Sequence, residues 1–211
     1  MTISDTYDFL LRASIPRVTE RTKLPEDLRW TNGHKIEKES EPEYSDKKLI
    51  WECICRAHRD VLSGRDNVTD YSSNTDSGFN KVSLELYYAI TRADKRINPK
   101  SRDLIEHLLP CNNGHIGSTQ KLVNMALKYM YLMQLFGKLS DFNINENDCD
   151  CPLDSIILER LGRNNNKWTK DFKINDGDDG YSIYVEIQNQ IQRERGEKSR
   201  LSYDFENWQS F

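Results

Sequence analysis

The pattern of hydrophobic and polar positions is helical over most of the chain. Apolar side chains recur every three to four residues, the period that places them on one face of an α-helix. Segments with this period lie at residues 45 to 63, 80 to 93, 99 to 109, 114 to 133, 152 to 162 and 181 to 195. Pairs of alternating segments typical of neighbouring β-strands are not found. The pattern therefore predicts a mainly α fold.

The ends of these segments carry the expected helix signals. Pro99 and Pro152 stand near predicted helix starts, where proline fits the first turn, and Gly64 and Gly162 follow predicted helix ends. Ahead of them, residues 4 to 13 are predicted to form a short helix. Residues 19 to 43 lose the periodicity and are predicted to form a long loop or a partly ordered excursion.

Composition favours one packed domain spanning residues 1 to 211. The chain is 36% hydrophobic and 10% aromatic, enough for one sizeable core, while 30% charged residues give a very polar surface. No basic leader followed by an apolar run is present, and no stretch approaches the roughly 18 apolar residues of a membrane span. We therefore expect a cytoplasmic protein without a membrane partner.

Charge is distributed unevenly along the chain. The net charge is −4, yet residues 86 to 138 hold eight lysines and arginines against three acidic residues. A basic middle third can present a positive face to a polyanion. Chance clustering on an ordinary solvated surface explains the same counts equally well.

Five cysteines are present, an odd number. They form two close pairs, Cys53 with Cys55 and Cys149 with Cys151, and a single Cys111. Buried reduced thiols are the expected state. A zinc site made from both pairs is the less favoured alternative, because metal-binding pairs usually have two to four intervening residues.

A predicted hairpin of two helices centres on the stretch NNGHIGSTQK at residues 112 to 121. Glycines allow a close approach of a nucleic-acid backbone, and the free N–H groups at a helix N-terminus bind phosphate. Ser118 or Thr119 is expected to cap the second helix. The residues predicted to bind DNA here are Asn113, Gly114, Gly117, Ser118 and Thr119.

Two lysines follow in the second helix of this hairpin. Lys121 is predicted to lie in the first turn, where the helix dipole and partial burial lower the pKa of an amine and suit it to act as a nucleophile. Lys128 is seven residues later and returns to nearly the same face, so both lysines are expected to face one cleft that binds DNA. The alternative is that each is a surface lysine beside the apolar stripe.

An aspartate stands at the start of the predicted helix after Pro152. Asp154 taken alone is most simply an N-cap or first-turn residue. It follows a proline loop and lies 33 residues after Lys121. In a second interpretation, Lys121 and the carboxylate of Asp154 act together in a reaction.

The stretches Gly114-His115-Ile116-Gly117-Ser118-Thr119-Gln120-Lys121 and Pro152-Leu153-Asp154 resemble the helix-hairpin-helix DNA glycosylases. The spacing is most similar to the archaeal-type branch of the 8-oxoguanine DNA glycosylase group. The resemblance covers residues 99 to 162, and residues 1 to 98 form a divergent N-terminal part. The hairpin here has Gly-x-x-Gly where the family has Gly-x-Gly, and no four-cysteine run of iron–sulfur type follows Asp154.

The resemblance implies a helix-hairpin-helix glycosylase fold and catalysis by Lys121 and Asp154 without a cofactor or metal. A carboxylate stabilises the cationic sugar, and an amine captures its anomeric carbon, with or without subsequent strand cleavage. The target base would be flipped into a pocket. Candidates for the pocket are Trp51, Gln120, Trp168 and Trp208, with Tyr184 and Phe205 as further aromatic candidates; the alternative for the aromatic residues is the core.

The sequence is compatible with several functions. The expected partner is double-stranded DNA with a modified base, bound by a monomer. The base is 8-oxoguanine in a repair function, or a hypermodified phage cytosine such as glucosylated hydroxymethylcytosine in anti-phage defence. The alternatives are a non-catalytic helix-hairpin-helix module that binds DNA or protein, and a helical structural protein with no nucleic-acid role.

Overall fold

Helices account for most of the part of the chain that the structure, a computed structural model, describes: residues 46–62, 78–92, 99–139, 142–163 and 180–208. The α-helices are α1 (Asp46–Leu62), α2 (Gly78–Arg92), α3 (Ser101–Leu108), α4 (Ile116–Leu135), α5 (Ser155–Arg160), α6 (Gly180–Arg195) and α7 (Arg200–Trp208), with 3₁₀ turns at Pro110–Asn112 and Glu146–Asp148. Within these ranges there is no β-strand. The prediction of a mainly α fold is confirmed.

Helix α4 is the central helix of the described fold, and it packs against α1, α3 and α6. Every residue from 116 to 130 except Lys121 is buried, so α4 has apolar contacts on nearly all sides. In α1 the residues from 49 to 54 are all buried as well. Burial on nearly all sides makes α4 a core helix, and the buried face of the amphipathic α1 packs along it.

Most helix boundaries follow the predictions. Helices α1, α2, α5 and α6 lie within two or three residues of the predicted segments, as is usual for helix ends. Helix α3 begins at Ser101, with Lys100 as its N-cap, so Pro99 lies outside the first turn rather than within it. Helix α7 was not predicted from the sequence.

Some predictions lie beyond the described residues. The helix at residues 4 to 13 and the loop at residues 19 to 43 fall there, and so does most of the divergent part at residues 1 to 98. One domain over residues 1 to 211 stays a prediction. None of the described helices is long and apolar enough to cross a membrane.

Candidate nucleic-acid interface and active site

Helices α3 and α4 form the predicted hairpin, and its turn is closed by backbone hydrogen bonds. The N–H of Gly114 donates to the carbonyl of Leu109 at 2.9 Å, and the N–H of His115 donates to that of Asn112 at 3.0 Å. Asn113 and Gly114 have φ angles of 52° and 73°. Both values lie in the left-handed region, which glycine and asparagine adopt most readily, so these two residues reverse the chain.

The side chain of Asn112 holds the turn to the first turn of α4. Its amide nitrogen Nδ2 lies 2.8 Å from Ser118 Oγ and 2.9 Å from Thr119 Oγ1, and it donates to the carbonyl of His115 at 3.3 Å. The Thr119 hydroxyl donates to that same carbonyl at 2.7 Å. These contacts fix the hairpin loop against the helix start. The sequence did not indicate this role for Asn112.

The predicted caps and phosphate contacts at Ser118 and Thr119 are corrected by this geometry. The N-cap residue of α4 is His115, and no side chain caps the helix. Both hydroxyls lie inside the helix and are buried, since α4 begins at Ile116. The backbone N–H groups of the first turn therefore remain the candidates for anion binding at this hairpin, not the two hydroxyls.

The two hairpin glycines have different roles. Gly114 is half-buried in the turn next to Asn113, whose side chain is exposed. Gly117 is a buried residue of the first helical turn and has no positive φ. Asn113 and Gly114 are thus the predicted DNA-binding residues that the turn presents, whereas a ligand can approach Gly117 only through its backbone.

Lys121 lies in the second turn of α4, not in the first as predicted, because the helix begins at Ile116. It is half-buried, and it is the one residue between positions 116 and 130 that is not buried. An amine at this position reaches the surface from a helix that is otherwise in the core. Lys121 is therefore the position between residues 116 and 130 where α4 is accessible from solvent.

Gln120 ties α4 to the segment before Asp154. Its Oε1 accepts from the N–H of Leu153 at 3.1 Å, and its Nε2 donates to the carbonyl of the same residue at 2.8 Å. The side-chain amide of Gln120 thereby bonds both the N–H and the carbonyl of Leu153, as the backbone of a neighbouring β-strand would. Gln120 is fully buried, and its amide is engaged with the backbone of Leu153, where it positions the chain. That Gln120 lines a base pocket stays a prediction.

A second glutamine forms the same pair of hydrogen bonds with Cys151, two residues before Leu153. Gln188 of α6 accepts from the N–H of Cys151 at 3.0 Å and donates to its carbonyl at 2.7 Å. Asn124 lies between the two glutamines, and its Nδ2 is 3.1 Å from the hydroxyl of Tyr184. Residues 149 to 154 have no regular secondary structure. Side-chain amides satisfy their buried backbone groups, as burial requires.

Asp150 anchors the start of this segment. Its carboxylate is 1% exposed and accepts from the Tyr184 hydroxyl at 2.7 Å, while Arg102 and Arg200 form ion pairs with it. Burial, and then the nearby Asp150 charge, raise the pKa of the Tyr184 phenol well above its ordinary value. The neutral phenol therefore stays a donor to the carboxylate at neutral pH. The Asp150 charge is compensated from two sides.

Asp154 is the N-cap of α5, as one of its two interpretations predicted. Its Oδ1 accepts from the N–H of Ile157 at 3.0 Å, and the residue is half-buried. Burial raises the pKa of Asp204, and the negative charge of Asp154 adds to that rise, so these carboxylates lie within electrostatic reach of each other. Capping uses one carboxylate oxygen in the described geometry.

Lys128 does not share an open face with Lys121, and the prediction that it binds DNA is wrong in this structure. Its side chain is 2% exposed and forms an ion pair with Asp204 of α7, which is also 2% exposed. Its Nζ lies 5.4 Å from the centre of the Phe205 ring. Seven residues return to nearly the same direction, but α7 covers that direction at position 128.

The aromatic pocket candidates are dispersed. Trp51 is 2% exposed and packs edge-on against Tyr87 in the core. Tyr184 is fully buried at Asp150, and Phe205 is half-buried beside Lys128. Trp168 and the side chain of Trp208 lie outside the described residues. The alternative of core packing therefore holds for Trp51 and Tyr184.

All five thiols are free. Cys53, Cys149 and Cys151 are buried, and Cys55 and Cys111 are half-buried, as expected for reduced thiols. Burial raises the pKa of Cys149 and Cys55, each to about 12. Among the described residues no group of three or more histidines, cysteines or acidic side chains is arranged to hold a metal ion.

A polar stripe on α4 explains much of this site, and the sequence contained a signal for it. Gln120, Asn124 and Lys128 are spaced four residues apart, so they lie along one face of a helix that is otherwise apolar. All three are buried. Buried polar side chains need partners, and the partners are the segment before Asp154, Tyr184 and Asp204.

The arrangement joins Gln120, which precedes the partly exposed Lys121, to Leu153, which precedes the carboxylate that caps α5. The hairpin turn lies close by along the chain. An amine and a carboxylate are the groups required for nucleophilic substitution at a cationic carbon. Comparison of the chain with protein-family models, with curated proteins and with solved structures finds no match.

Proposed function

We propose that this protein is a DNA glycosylase that excises a modified base, with Lys121 as the nucleophile and Asp154 as the carboxylate that stabilises the cationic sugar. The observation that carries the proposal is the pair of hydrogen bonds between Gln120 and Leu153. Each of these residues directly precedes one of the two proposed catalytic residues. Two segments 33 residues apart in sequence are thereby fixed together, directly before Lys121 and directly before Asp154 along the chain.

Burial supports the same assignment. Lys121 is the single partly exposed residue in a buried stretch of α4, and Asp154 is half-buried at the end of a segment held by side-chain amides. A group that must meet DNA has to reach the surface, and a catalytic group has to be held in place. Both residues meet these conditions.

Besides the protein and the DNA, the proposed reaction needs only water, which releases the lysine at the end. The bond between C1′ and the base breaks, its electron pair leaves with the base, and the base takes up a proton. The Lys121 nitrogen bonds to C1′ and loses a proton, while the charge of Asp154 stabilises the cationic transition state. Opening of the sugar ring at the C1′–O4′ bond, with proton uptake by O4′, gives a Schiff base.

Strand cleavage can follow from that Schiff base. Loss of a proton from C2′ supplies the electron pair that expels the 3′ phosphate by β-elimination, and water later releases the lysine. The target nucleotide must first leave the duplex, because its anomeric carbon is not accessible in the stacked helix. The hairpin turn with Asn113 and Gly114, and the N–H groups that begin α4, are the proposed contacts to the DNA backbone.

The substrate base is one of two classes. An oxidised purine such as 8-oxoguanine corresponds to genome repair, and a bulky cytosine such as glucosylated hydroxymethylcytosine corresponds to defence against phage DNA. Release from one panel of duplexes separates the two classes. The non-catalytic module remains the competing function, and it predicts binding to DNA without any change to the base.

Borohydride trapping tests the proposal. The protein is incubated with labelled duplexes carrying 8-oxoguanine, an abasic site or glucosylated hydroxymethylcytosine, and borohydride reduces any Schiff base to a stable amine. We expect a covalent adduct that Lys121→Gln abolishes. Lys138→Gln is the matched control, because Lys138 is an exposed lysine just past the end of α4.

The other outcomes are also informative. Release of the base without an adduct, if it requires Asp154, assigns the attack to water instead of Lys121. Binding to duplexes with neither adduct nor release from any of them contradicts the proposal and favours the non-catalytic module. Because phosphate contacts dominate nonspecific affinity, that binding would weaken steeply with salt.

A further inference from the structure

The Lys128–Asp204 ion pair is a feature for which the proposed chemistry has no direct use. Both side chains are 2% exposed, and the Lys128 ammonium also lies beside the Phe205 ring. Removing two charges from water carries a large desolvation penalty, so a buried pair contributes little net stability compared with apolar side chains of similar size. Stability alone does not explain its presence between α4 and α7.

The pair fixes α7 in one register against the hairpin helix. Lys128 lies two turns beyond Lys121 on α4, and Asp204 is in the middle of α7. A shift of α7 by one turn would separate the charges and leave each one buried without its partner. Breaking a buried pair in this way is strongly destabilising, whereas a purely apolar contact tolerates a shift far better.

Helix α7 also contacts the Asp154 segment on both sides. Near its start, Arg200 forms an ion pair with Asp150, four residues before Asp154. Near its end, Asn207 accepts a hydrogen bond from Arg160, the last residue of the helix that Asp154 caps. The register of α7 therefore fixes both ends of the segment that carries Asp154.

We propose that Lys128 and Asp204 are positioning residues, which set the location of Asp154 relative to Lys121 through α7. This inference rests on the proposed glycosylase function. It predicts that removing the pair weakens the step that needs Asp154 and spares the step that needs only Lys121. Those steps are release of the base from the sugar, and formation of a Schiff base at an abasic site where the base is already absent.

The test uses the full chain with Lys128→Met and Asp204→Leu combined, which removes both charges without stranding one of them. We expect the double variant to fold with an unchanged or higher Tm. The kcat for base release should fall about 10- to 100-fold with KM within about twofold, because small displacements of catalytic groups cost this much. Borohydride trapping on an abasic duplex should stay within about twofold of the wild-type level.

Two results overturn the inference. One is a folded double variant that releases the base at the wild-type rate, and the other is an equal loss of release and of trapping, which indicates a general structural defect. If the double variant does not fold, Arg160→Gln decides. Arg160 is exposed, so this variant should fold. Arg160→Gln should reduce base release more than trapping at an abasic site, to a smaller degree than the double variant. A ratio of release to trapping equal to that of the wild-type protein overturns the inference.

Failure of the underlying function is separately visible. A wild-type protein that releases no base from any duplex and forms no adduct at an abasic site contradicts the glycosylase proposal itself. Base release and adduct formation by the wild-type protein are therefore measured before those of any variant. An active wild-type protein with an unselective double variant contradicts only the positioning role of Lys128 and Asp204.

Discussion

Gln120 and Leu153 are joined by two hydrogen bonds of 2.8 and 3.1 Å, through which one side-chain amide satisfies both backbone groups of the partner residue. Gln120 also donates to the carbonyl of Gly117 in the first turn of α4 at 3.1 Å. The hairpin helix and the segment before Asp154 are thereby connected by a fully buried group. Replacing this one side chain affects both parts of the candidate site.

Gln120→Ala is expected to lower the free energy of unfolding by about 2–6 kcal/mol. The substitution leaves the N–H and the carbonyl of Leu153 buried without partners, and each unsatisfied group costs about 1–3 kcal/mol. Urea denaturation measures the change. Gln190→Ala is the control, because the bonds of Gln190 to Glu194 and Arg163 lie nearer the surface. A loss within 0.5 kcal/mol for Gln120→Ala would contradict the described connection.

Asp154 combines a cap with a charge, and two substitutions separate them. Asp154→Asn keeps an oxygen that accepts from the N–H of Ile157, so stability should change by less than about 0.5 kcal/mol. Asp154→Ala removes the cap and should cost about 1 kcal/mol. Both variants should lose base release if the charge acts in catalysis. Thermal melts and a release assay give the two readings, and an active Asp154→Asn variant excludes the catalytic charge.

Arg200 compensates the buried charge of Asp150. Arg200→Met should destabilise the protein by about 3 kcal/mol, because it leaves a buried carboxylate without one of its cations. Denaturant unfolding tests this value. Arg193→Gln, an exposed arginine on α6, provides the comparison and should change stability by less than about 0.5 kcal/mol. Equal effects of the two variants would show that Arg200 does not compensate Asp150.

The thiols offer a test of the core that is independent of function. A disulfide reagent such as Ellman's reagent at pH 8 should leave Cys53, Cys149 and Cys151 unmodified in the native protein, since they are buried. Burial raises the pKa of Cys53 and Cys151, so the reactive thiolate is scarce there. All five thiols should react in denaturant. Rapid reaction of more than two thiols in the native state would contradict the described packing.

The raised pKa values of the buried thiols also make the stability of the fold depend on pH. The ordinary pKa of a cysteine thiol is 9.0. In the folded chain, burial raises the pKa of Cys53 and Cys151 above that value. Above about pH 9 the unfolded chain releases protons that the folded chain retains. Stability therefore falls as the pH rises beyond that value. Variants with Cys53→Ala or Cys151→Ala should show a shallower decline of Tm between pH 9 and 10.5.

The helices followed from the sequence because their signals are local. In α1 the period of apolar residues and the stop signal Gly64 lie in the segment or directly after it, and in α6 the period lies in the segment, so no distant contact is needed to identify either element. The cap of α5 by Asp154 is local for the same reason, since the carboxylate bonds an N–H three residues on. Helix α7 is short and strongly charged, and only its packing against α6 and Lys128 distinguishes it.

By itself, the amino-acid sequence determined a mainly helical chain, a hairpin at Asn113 and Gly114, and a lysine and an aspartate as candidate chemistry. Only the tertiary structure decided that Lys121 reaches the surface while Lys128 is buried against Asp204. Periodicity gives the direction of a side chain from its helix, but not what covers that direction. Gln120 is bonded to a residue 33 positions away, and such contacts arise from packing, which no local pattern encodes.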